Sequence, residues 1–329
     1  MTRAVQVTAC TLGGPGLDQL CITMSAWTPA LTPGPGRARR SGPTSGSPAC
    51  PAQRSPADPP PTGTLAPTAA RTAVARSGGK TVADPTRPVA IVTGGSRGIG
   101  AAVTDALAAR GMTVASFDIQ PPARPGPEDG SRAYLTVDVS RADETERAVG
   151  VVAGRFGRID VLVNNAGILD CHAVHDTPED AWDRVMAVNV KSVFLMSRAV
   201  IPFLRAGGGG ALVNISSVHA VATVPRLAAY AASKGAVLSL TRQMALDYAD
   251  DGIRVNAVIV GGVDTEMSAQ HGAAMARDGV TVSPGTGAIG RTAQPDEVAR
   301  AVAFLASPES SFLTGAPLIA DGGMLARLF

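Results

Sequence analysis

Residues 88–100 read PVAIVTGGSRGIG, and an alanine-rich helical pattern follows over residues 101–110. The first six residues are a short apolar run with the composition of a buried β-strand. Glycines in a turn between a strand and a helix let the backbone approach a pyrophosphate, and the NH groups at the start of the helix point at its charge. A glycine cluster alone is weak evidence, but this context is typical of a dinucleotide site. The residues expected to contact that ligand are Gly94, Ser96, Arg97, Gly98, Ile99 and Gly100.

The alternation of strand and helix continues from this stretch to the C-terminus. Further strands are expected at residues 113–118, 133–137, 160–163, 211–215, 253–258 and 316–320, and further helices at 141–156, 179–204, 227–248 and 295–305. Short apolar strands that alternate with helices require parallel pairing, with both faces of the sheet covered. Residues 85–329 are therefore predicted to form one α/β domain, a doubly wound parallel sheet of Rossmann-like architecture.

Residues 1–84 have a different composition. They hold 12 of the 25 prolines and eight Lys or Arg against three Asp, a balance of +5, without helical or strand periodicity. Such a segment cannot bury enough apolar surface to offset its ordering entropy, so we expect a disordered extension. Its basic character resembles an organelle transit peptide, but the prolines oppose the amphipathic helix that such a signal needs. A solvated tail, or a start codon placed too far upstream, is the preferred interpretation.

The bulk composition excludes several classes of protein. Hydrophobic residues make up 45% of the 329 residues, enough for a large core, and residues 85–329 hold 21 basic and 24 acidic side chains, a balance of −3. A mildly acidic body argues against nucleic acid as a partner. Four scattered cysteines without a CxxC pair argue against a metal site or a disulfide framework, and favour a cytoplasmic setting. No run of 18 apolar residues is present, so no membrane span is expected.

Asp118 is expected to determine whether the protein prefers NAD or NADP. It closes the second strand, where a carboxylate can accept hydrogen bonds from both ribose hydroxyls and would repel a 2′-phosphate. This favours NAD, whereas Arg97 could pair with that phosphate and keeps NADP possible. Further cofactor contacts, at the ends of the third and fourth strands, are expected at Asp138, Val139, Asn165, Ala166 and Gly167.

Tyr230 and Lys234 are four residues apart on a predicted helix, so they share one face. Free tyrosine has a pKa near 10. An ammonium about 4 Å away would lower that pKa by roughly three units before desolvation acts, which would let Tyr230 exchange a proton. Ser216 and Ser217 follow a strand at the edge where ligands bind, and a hydroxyl there could donate to the oxygen of a substrate.

These motifs together resemble the standard-length branch of the short-chain dehydrogenase/reductase family, from about Arg87 to the C-terminus. The glycine turn looks like that branch's TGxxxGxG, residues 164–167 look like its NNAG, and Tyr230 and Lys234 match its YxxxK. The closing residues 321–323, Asp-Gly-Gly, are similar to its C-terminal signature.

The resemblance also implies roles for single residues. Tyr230 would transfer the proton, while Lys234 would lower its pKa and bind the nicotinamide ribose. Ser217, thirteen residues before the tyrosine, matches the catalytic serine of the family better than Ser216, and would orient the substrate oxygen. Asn189 looks like the family's helix asparagine, which would connect Lys234 to solvent through water.

One loop departs from the family pattern. Members carry Pro-Gly after the sixth strand, whereas this chain has Val260 and Gly261, so we expect a slightly looser cofactor loop. Val263 and Thr265 match the positions that follow in the family and contact the cofactor. The substrate lid is expected over residues 266–291.

The leading hypothesis is an NAD-linked dehydrogenase of secondary alcohols. The alternatives are an NADPH-dependent 3-oxoacyl-thioester reductase and a nucleotide-sensing regulator without turnover. His219, close to the serine, either hydrogen-bonds a polar substrate or is a solvated loop residue. Relatives often form tetramers through their two long helices, so the resemblance implies a homo-oligomer, a tetramer or a dimer.

Overall fold

A computed structural model of the chain describes residues 5–13, 19–26, 86–122, 131–277 and 287–326. The chain divides into two compact units, residues 1–70 and 71–329. In the first unit, β1 (Val5–Gly13) pairs with β2 (Gln19–Ala26) as antiparallel strands, and Val5 lies opposite Ala26. This strand pair falls in the extension predicted to be disordered, and the rest of that extension lies outside the described residues.

The second unit contains a seven-stranded sheet in the order β5-β4-β3-β6-β7-β8-β9, and every pairing in it is parallel. Each predicted strand is present. The strands are β3 (Val89–Thr93), β4 (Thr113–Asp118), β5 (Arg132–Thr136), β6 (Val161–Asn164), β7 (Gly210–Ser217), β8 (Ile253–Val260) and β9 (Pro317–Ala320). The helices are α1 (Gly98–Ala109), α2 (Ala142–Phe156), α3 (Glu179–Met186), α4 (Ser192–Ala206), α5 (Ala228–Asp247), α6 (Glu266–Arg277) and α7 (Pro295–Ala306). The doubly wound α/β prediction is confirmed.

Two apolar layers cover the sheet. One face packs side chains of α2, α4 and α5 against the strands, and the other packs α1 and α7. All five residues of β3 are buried, which explains why that strand reads as a continuous apolar run rather than an alternating one. Each fully buried Leu or Ile contributes roughly 1.5–3 kcal/mol to this core.

The direction of winding changes at β3. The chain proceeds outward from β3 to β4 and β5, and then returns to place β6 on the other side of β3. Because all the strands are parallel, the loops after β3, β6, β7 and β8 emerge at one edge. A crevice opens there in folds of this kind, and ligands bind in it.

The helix predicted as one piece at residues 179–204 is interrupted. A π-helical turn at Ala187–Lys191 joins α3 to α4, and it carries Asn189. Such turns occur frequently at functional sites. The helix Glu179–Ala206 is long enough to cross a membrane, and its most apolar stretch of 18 residues has a mean hydropathy of 1.4. Half of this apolar stretch is buried inside the protein, however, as in a helix of the core.

Candidate active site

The glycine turn between β3 and α1 adopts backbone conformations that side chains oppose. Gly94 has a φ of +64° and Gly98 a φ of +53°. A Cβ added at Gly100 would lie 2.0 Å from the carbonyl oxygen of Gly94. The turn therefore needs glycine at these positions, and it leaves the start of α1 open to an anion, as a pyrophosphate site requires.

Asn165, the residue after β6, stabilises this turn through hydrogen bonds. Its Nδ2 donates to the carbonyl oxygens of Thr93 (3.0 Å) and Gly94 (3.1 Å). The Oγ1 of Thr93 accepts hydrogen bonds from the backbone NH groups of Asn165 and Ala166, both at 3.0 Å. The amide of Asn165, predicted to bind the cofactor, thus shapes the turn, and Thr93 is a positioning residue that the sequence interpretation missed.

Asp118 lies at the end of β4 beside the glycine turn, as expected. Its Oδ2 accepts from the backbone NH of Ser96 at 3.0 Å, and its Oδ1 accepts from the NH of Gln120 at 3.1 Å. These bonds fix the carboxylate at the adenosine end of the crevice. Arg97, the residue that kept NADP possible, forms an ion pair with Glu266 of α6 at 2.8 Å.

Asp138 and Val139 follow β5 in the expected place. The Oδ1 of Asp138 accepts from both the NH (2.9 Å) and the hydroxyl (2.6 Å) of Ser140, so the carboxylate closes its own turn. Val139 is buried in the core. The structure thus gives both residues a structural role, and their contact with adenine stays a prediction.

The phenol and the ammonium predicted to act together are both buried on α5. Lys234 donates from Nζ to the carbonyl oxygen of Ile215 at 3.0 Å, and this nitrogen lies 5.7 Å from the centre of the Tyr230 ring. Burial raises the pKa of Tyr230 above its ordinary value, against the opposing effect of a hydrogen bond with Ser217. Burial lowers the pKa of Lys234 to about 8.

The pKa of Tyr230 is therefore shifted upward, opposite to the direction that the spacing from Lys234 predicts. The prediction counted only the Coulomb effect of an ammonium about 4 Å from the phenol, before desolvation. In the structure, desolvation of the buried phenol dominates and disfavours the phenolate.

The two adjacent serines at the end of β7 have separate tasks. Ser216 donates its hydroxyl hydrogen to the carbonyl oxygen of Lys234 at 2.9 Å and so anchors α5. Ser217, whose side chain alternates to the other face of the strand, acts to lower the pKa of Tyr230, and its Oγ accepts from the NH of His219 at 3.3 Å. Ser217 is thus the serine that faces the phenol, and the resemblance had favoured it.

Asn189 holds together the segments around Lys234. Its Oδ1 accepts from the NH of Ile168 (2.8 Å), and its Nδ2 donates to the carbonyl oxygen of Ile168 (2.9 Å) and to Ser233 (3.0 Å). A Cβ added at Gly167 would lie 3.4 Å from both Asn189 Oδ1 and Lys234 Nζ, so glycine lets these groups approach. Asn189 is a positioning residue in this structure, and its water relay stays a prediction.

The loop after β8 is tied on two sides. Gly261 donates its NH to Ala320 of β9 at 3.1 Å, and a Cβ at Gly261 would lie 2.7 Å from the Cα of Asp321. Val263 is buried and forms a parallel bridge with Ala293. These contacts hold the backbone on both sides of the loop, and its expected looseness stays a prediction.

Thr265 lies where that loop meets the glycine turn. A Cβ added at Gly98 would lie 3.5 Å from its Cγ2. Its Oγ1 accepts from the NH of Ser268 at 3.3 Å, at the start of α6.

The lid predicted over residues 266–291 contains a helix, and residues 278–286 lie outside the described residues. Helix α6 buries Met275 and directs His271 inward. The His271 ring lies 6.4 Å from that of His219, which lies 5.9 Å from the Tyr230 ring. The sequence interpretation missed His271, although its spacing of four from Met267 and from Met275 was an available signal.

The part of the chain that the structure describes contains no cluster of three His, Cys, Asp or Glu side chains that could hold a metal ion.

Comparisons with known proteins agree with this geometry. A family model described as enoyl-(acyl carrier protein) reductase matches residues 94–325. Cyclopentanol dehydrogenase of Comamonas sp. is 41% identical over 245 residues, 73% of this chain and 97% of the relative. For 2-(R)-hydroxypropyl-CoM dehydrogenase of Xanthobacter autotrophicus, the identity is 40% over 252 residues, 72% and 98% of the two chains. The ligand-free aldohexose dehydrogenase of Thermoplasma acidophilum, 34% identical, matches with a TM-score of 0.67 over 75% of this chain and 97% of its own.

Proposed function

The chain belongs to the short-chain dehydrogenase/reductase family, and on that premise we propose that it uses NAD(H) and moves the substrate proton through Tyr230. It is an oxidoreductase that transfers a hydride between a nicotinamide cofactor and a secondary alcohol or ketone. The observation that carries the proposal is the buried Tyr230, whose pKa Ser217 lowers against the effect of burial, in a chain whose glycine turn fits a dinucleotide.

The residues present fit a nicotinamide dinucleotide. The glycine turn supplies backbone that no side chain obstructs, and the start of α1 supplies free NH groups for the pyrophosphate. Asp118 would accept the hydroxyls of the adenosine ribose, and Lys234 would donate to those of the nicotinamide ribose. When bound, the nicotinamide supplies the hydride chemistry.

The preference for NAD rests on two side chains at the adenosine end. The carboxylate of Asp118, held by Ser96 NH, would repel a 2′-phosphate at short range. The guanidinium of Arg97, the group that could bind that phosphate, pairs with Glu266 instead. Both observations favour NAD over NADP.

The proton steps follow from the environment of Tyr230. Because burial raises the pKa of this phenol, it is protonated at neutral pH, the state that donates to the oxygen of a ketone during reduction. Ser217 would donate a second hydrogen bond to that oxygen and stabilise its developing charge. In the direction of oxidation, the phenolate would accept the hydroxyl proton, so we expect oxidation to accelerate as the pH rises.

A Tyr230→Phe variant tests the catalytic assignment, with Tyr248→Phe at the C-terminal end of the same helix as the matched control. Removal of the phenol should lower kcat by about 100-fold to 10,000-fold, because one acid–base group is lost. The control should turn over like the wild type in a screen of secondary alcohols and ketones. Full turnover by Tyr230→Phe would refute the assignment.

Initial rates with NADH and NADPH test the cofactor assignment in the same screen. A strong preference for NADPH would refute NAD as the cofactor and favour the 3-oxoacyl-thioester reductase alternative. Absence of turnover with every substrate and both cofactors would favour the nucleotide-sensing regulator.

We further propose a homotetramer in a cytoplasmic setting. Two separate apolar surfaces support an assembly of four chains, since a tetramer with two kinds of interface needs two self-complementary patches. Phe194 and Phe203 are partly exposed on α4, while Phe312 and Ile319 are exposed beside and on the edge strand β9. Sedimentation equilibrium measures the mass directly, and a monomer at micromolar concentration would refute the assembly.

A further inference from the structure

Three aromatic rings form a row from the lid to the catalytic phenol. His271 of α6 meets the ring of His219 nearly edge to face at 6.4 Å, and His219 meets the ring of Tyr230 at 5.9 Å. His271 comes from the lid, whereas His219 lies two residues after Ser217, the last residue of β7. The row therefore extends from the catalytic phenol to helix α6.

Each imidazole of the row has a ring nitrogen, Nε2, that can still bond a ligand. The Nδ1 of His219 and the hydroxyl of Thr223 share a hydrogen bond of 3.2 Å. The Nε2 of His219 is then the ring nitrogen left to bond a ligand. The Nε2 of His271 is buried and has no hydrogen-bond partner among the described residues. A buried polar nitrogen without a partner is costly, so a ligand group that bonds it is favoured.

The charge of the row indicates which ligand group fits. Burial lowers the pKa of His219 to about 4 and lowers that of His271 as well. Both imidazoles are therefore neutral at pH 7, and each offers one donor and one acceptor. A hydroxyl or a carbonyl matches such groups without introducing a charge, whereas a carboxylate would have to be desolvated without a cationic partner.

We infer that His271, together with His219, binds a second uncharged polar group of the substrate, remote from the carbon that is oxidised. The preferred substrates are then cyclic diols or hydroxyketones rather than simple mono-alcohols. This inference rests on the proposed function, because it takes Tyr230 as the group at the reacting carbon. It makes His271 a residue that determines specificity.

The test compares cyclohexane-1,4-diol with cyclohexanol, two substrates that differ in one remote hydroxyl. The readout is the ratio of their kcat/KM values in the wild type, in His271→Leu and in His271→Gln. We expect His271→Leu to lower the ratio of diol to cyclohexanol by roughly tenfold, the effect of one hydrogen bond, mainly through KM. Glutamine keeps an N–H donor and should restore most of the ratio. Gln270→Leu, at an exposed neighbouring position of α6, is the matched control and should leave the ratio unchanged.

Equal losses with both substrates in His271→Leu would mean a structural role, and an unchanged ratio would mean no contact. Either result overturns the inference. If the wild type oxidises neither substrate with either cofactor, the proposed function fails on its own. Calorimetric titration of NAD-saturated wild type and His271→Leu with the diol and with cyclohexanol then decides the inference, because a contact with His271 requires a diol preference that the variant loses.

Discussion

Burial of Lys234 costs the folded protein stability. Its ammonium is fully buried, and its Nζ has one carbonyl partner, Ile215. Because burial brings its pKa down to about 8 from 10.5, the unfolded state binds the proton more tightly than the folded state does. Below pH 8 both states are protonated, and the folded state carries the whole cost. Between pH 8 and 10.5 that cost falls, so this group makes the protein more stable as the pH rises.

A Lys234→Met variant should therefore be more stable and inactive. We expect its free energy of unfolding at pH 7 to exceed that of the wild type by about 1–3 kcal/mol, less the lost hydrogen bond to Ile215. The difference should shrink between pH 8 and 10.5. Urea denaturation at pH 7 and pH 10 measures both effects, and Lys191→Met, at an exposed position, serves as the control. A variant less stable than the wild type at pH 7 would contradict the pKa assignment.

The sequence predicts the position of a site residue better than it predicts the residue's pKa or hydrogen bonds. Tyr230 and Lys234 were identified from their spacing, since a separation of four on a helix determines a shared face. The sign of the pKa shift of Tyr230 was not accessible, because burial depends on the packing of the whole site. The sequence predicted that Asn165 binds the cofactor. In the structure its side-chain amide donates to the carbonyl oxygens of residues 93 and 94, a tertiary contact that spacing does not reveal.

At the scale of elements, the glycine turn is the most constrained piece of the site. The carbonyl oxygen of Gly94 occupies the space that a side chain at Gly100 would need. Any side chain there must displace the backbone that approaches the pyrophosphate.

Gly100→Ala should raise the dissociation constant of NAD by tenfold or more, because the shift of one backbone segment removes at least one hydrogen bond. The matched control is Gly150→Ala in α2, where an added Cβ meets nothing within 4 Å. The control should bind NAD normally and gain about 0.5–1 kcal/mol of stability, since alanine favours the helix. Fluorescence titration and thermal unfolding measure the two effects. Wild-type affinity in Gly100→Ala would show that the turn does not contact the cofactor.

The elements of the sheet were predictable, whereas those around the substrate were not. Buried parallel strands read as apolar runs bounded by glycine and polar residues, so their ends were located within a few residues. Helix α6 was missed because Gly272 and a run of small residues weaken its pattern. The π-helical turn at Ala187–Lys191 was missed because the insertion of one residue barely disturbs a hydrophobic period.

At the scale of the whole molecule, the catalytic unit carries every described group of the site. The site residues lie between Thr93 and Asp321, and the chain divides at residue 70.

Removal of residues 1–84 should therefore leave kcat/KM and the melting temperature unchanged. The full chain and the truncated chain are compared under one buffer condition, by turnover and by thermal unfolding. A loss of activity in the truncated chain would assign a function to the proline-rich extension, contrary to the interpretation of its composition.

The turn at Asp321 has a consequence for how this scaffold can diversify. It contacts Gly261 before the lid and Gly287 after it, since an added Cβ at Gly287 would lie 2.2 Å from the carbonyl oxygen of Gly322. The NH of Ile289 also donates to that oxygen at 3.1 Å. Both ends of the segment between Gly261 and Gly287 thus contact the same turn, which follows β9. A segment whose two ends are held in this way can be exchanged as a unit, so chimaeras that replace residues 267–286 with a foreign segment should keep dinucleotide affinity while acquiring the donor's substrate range.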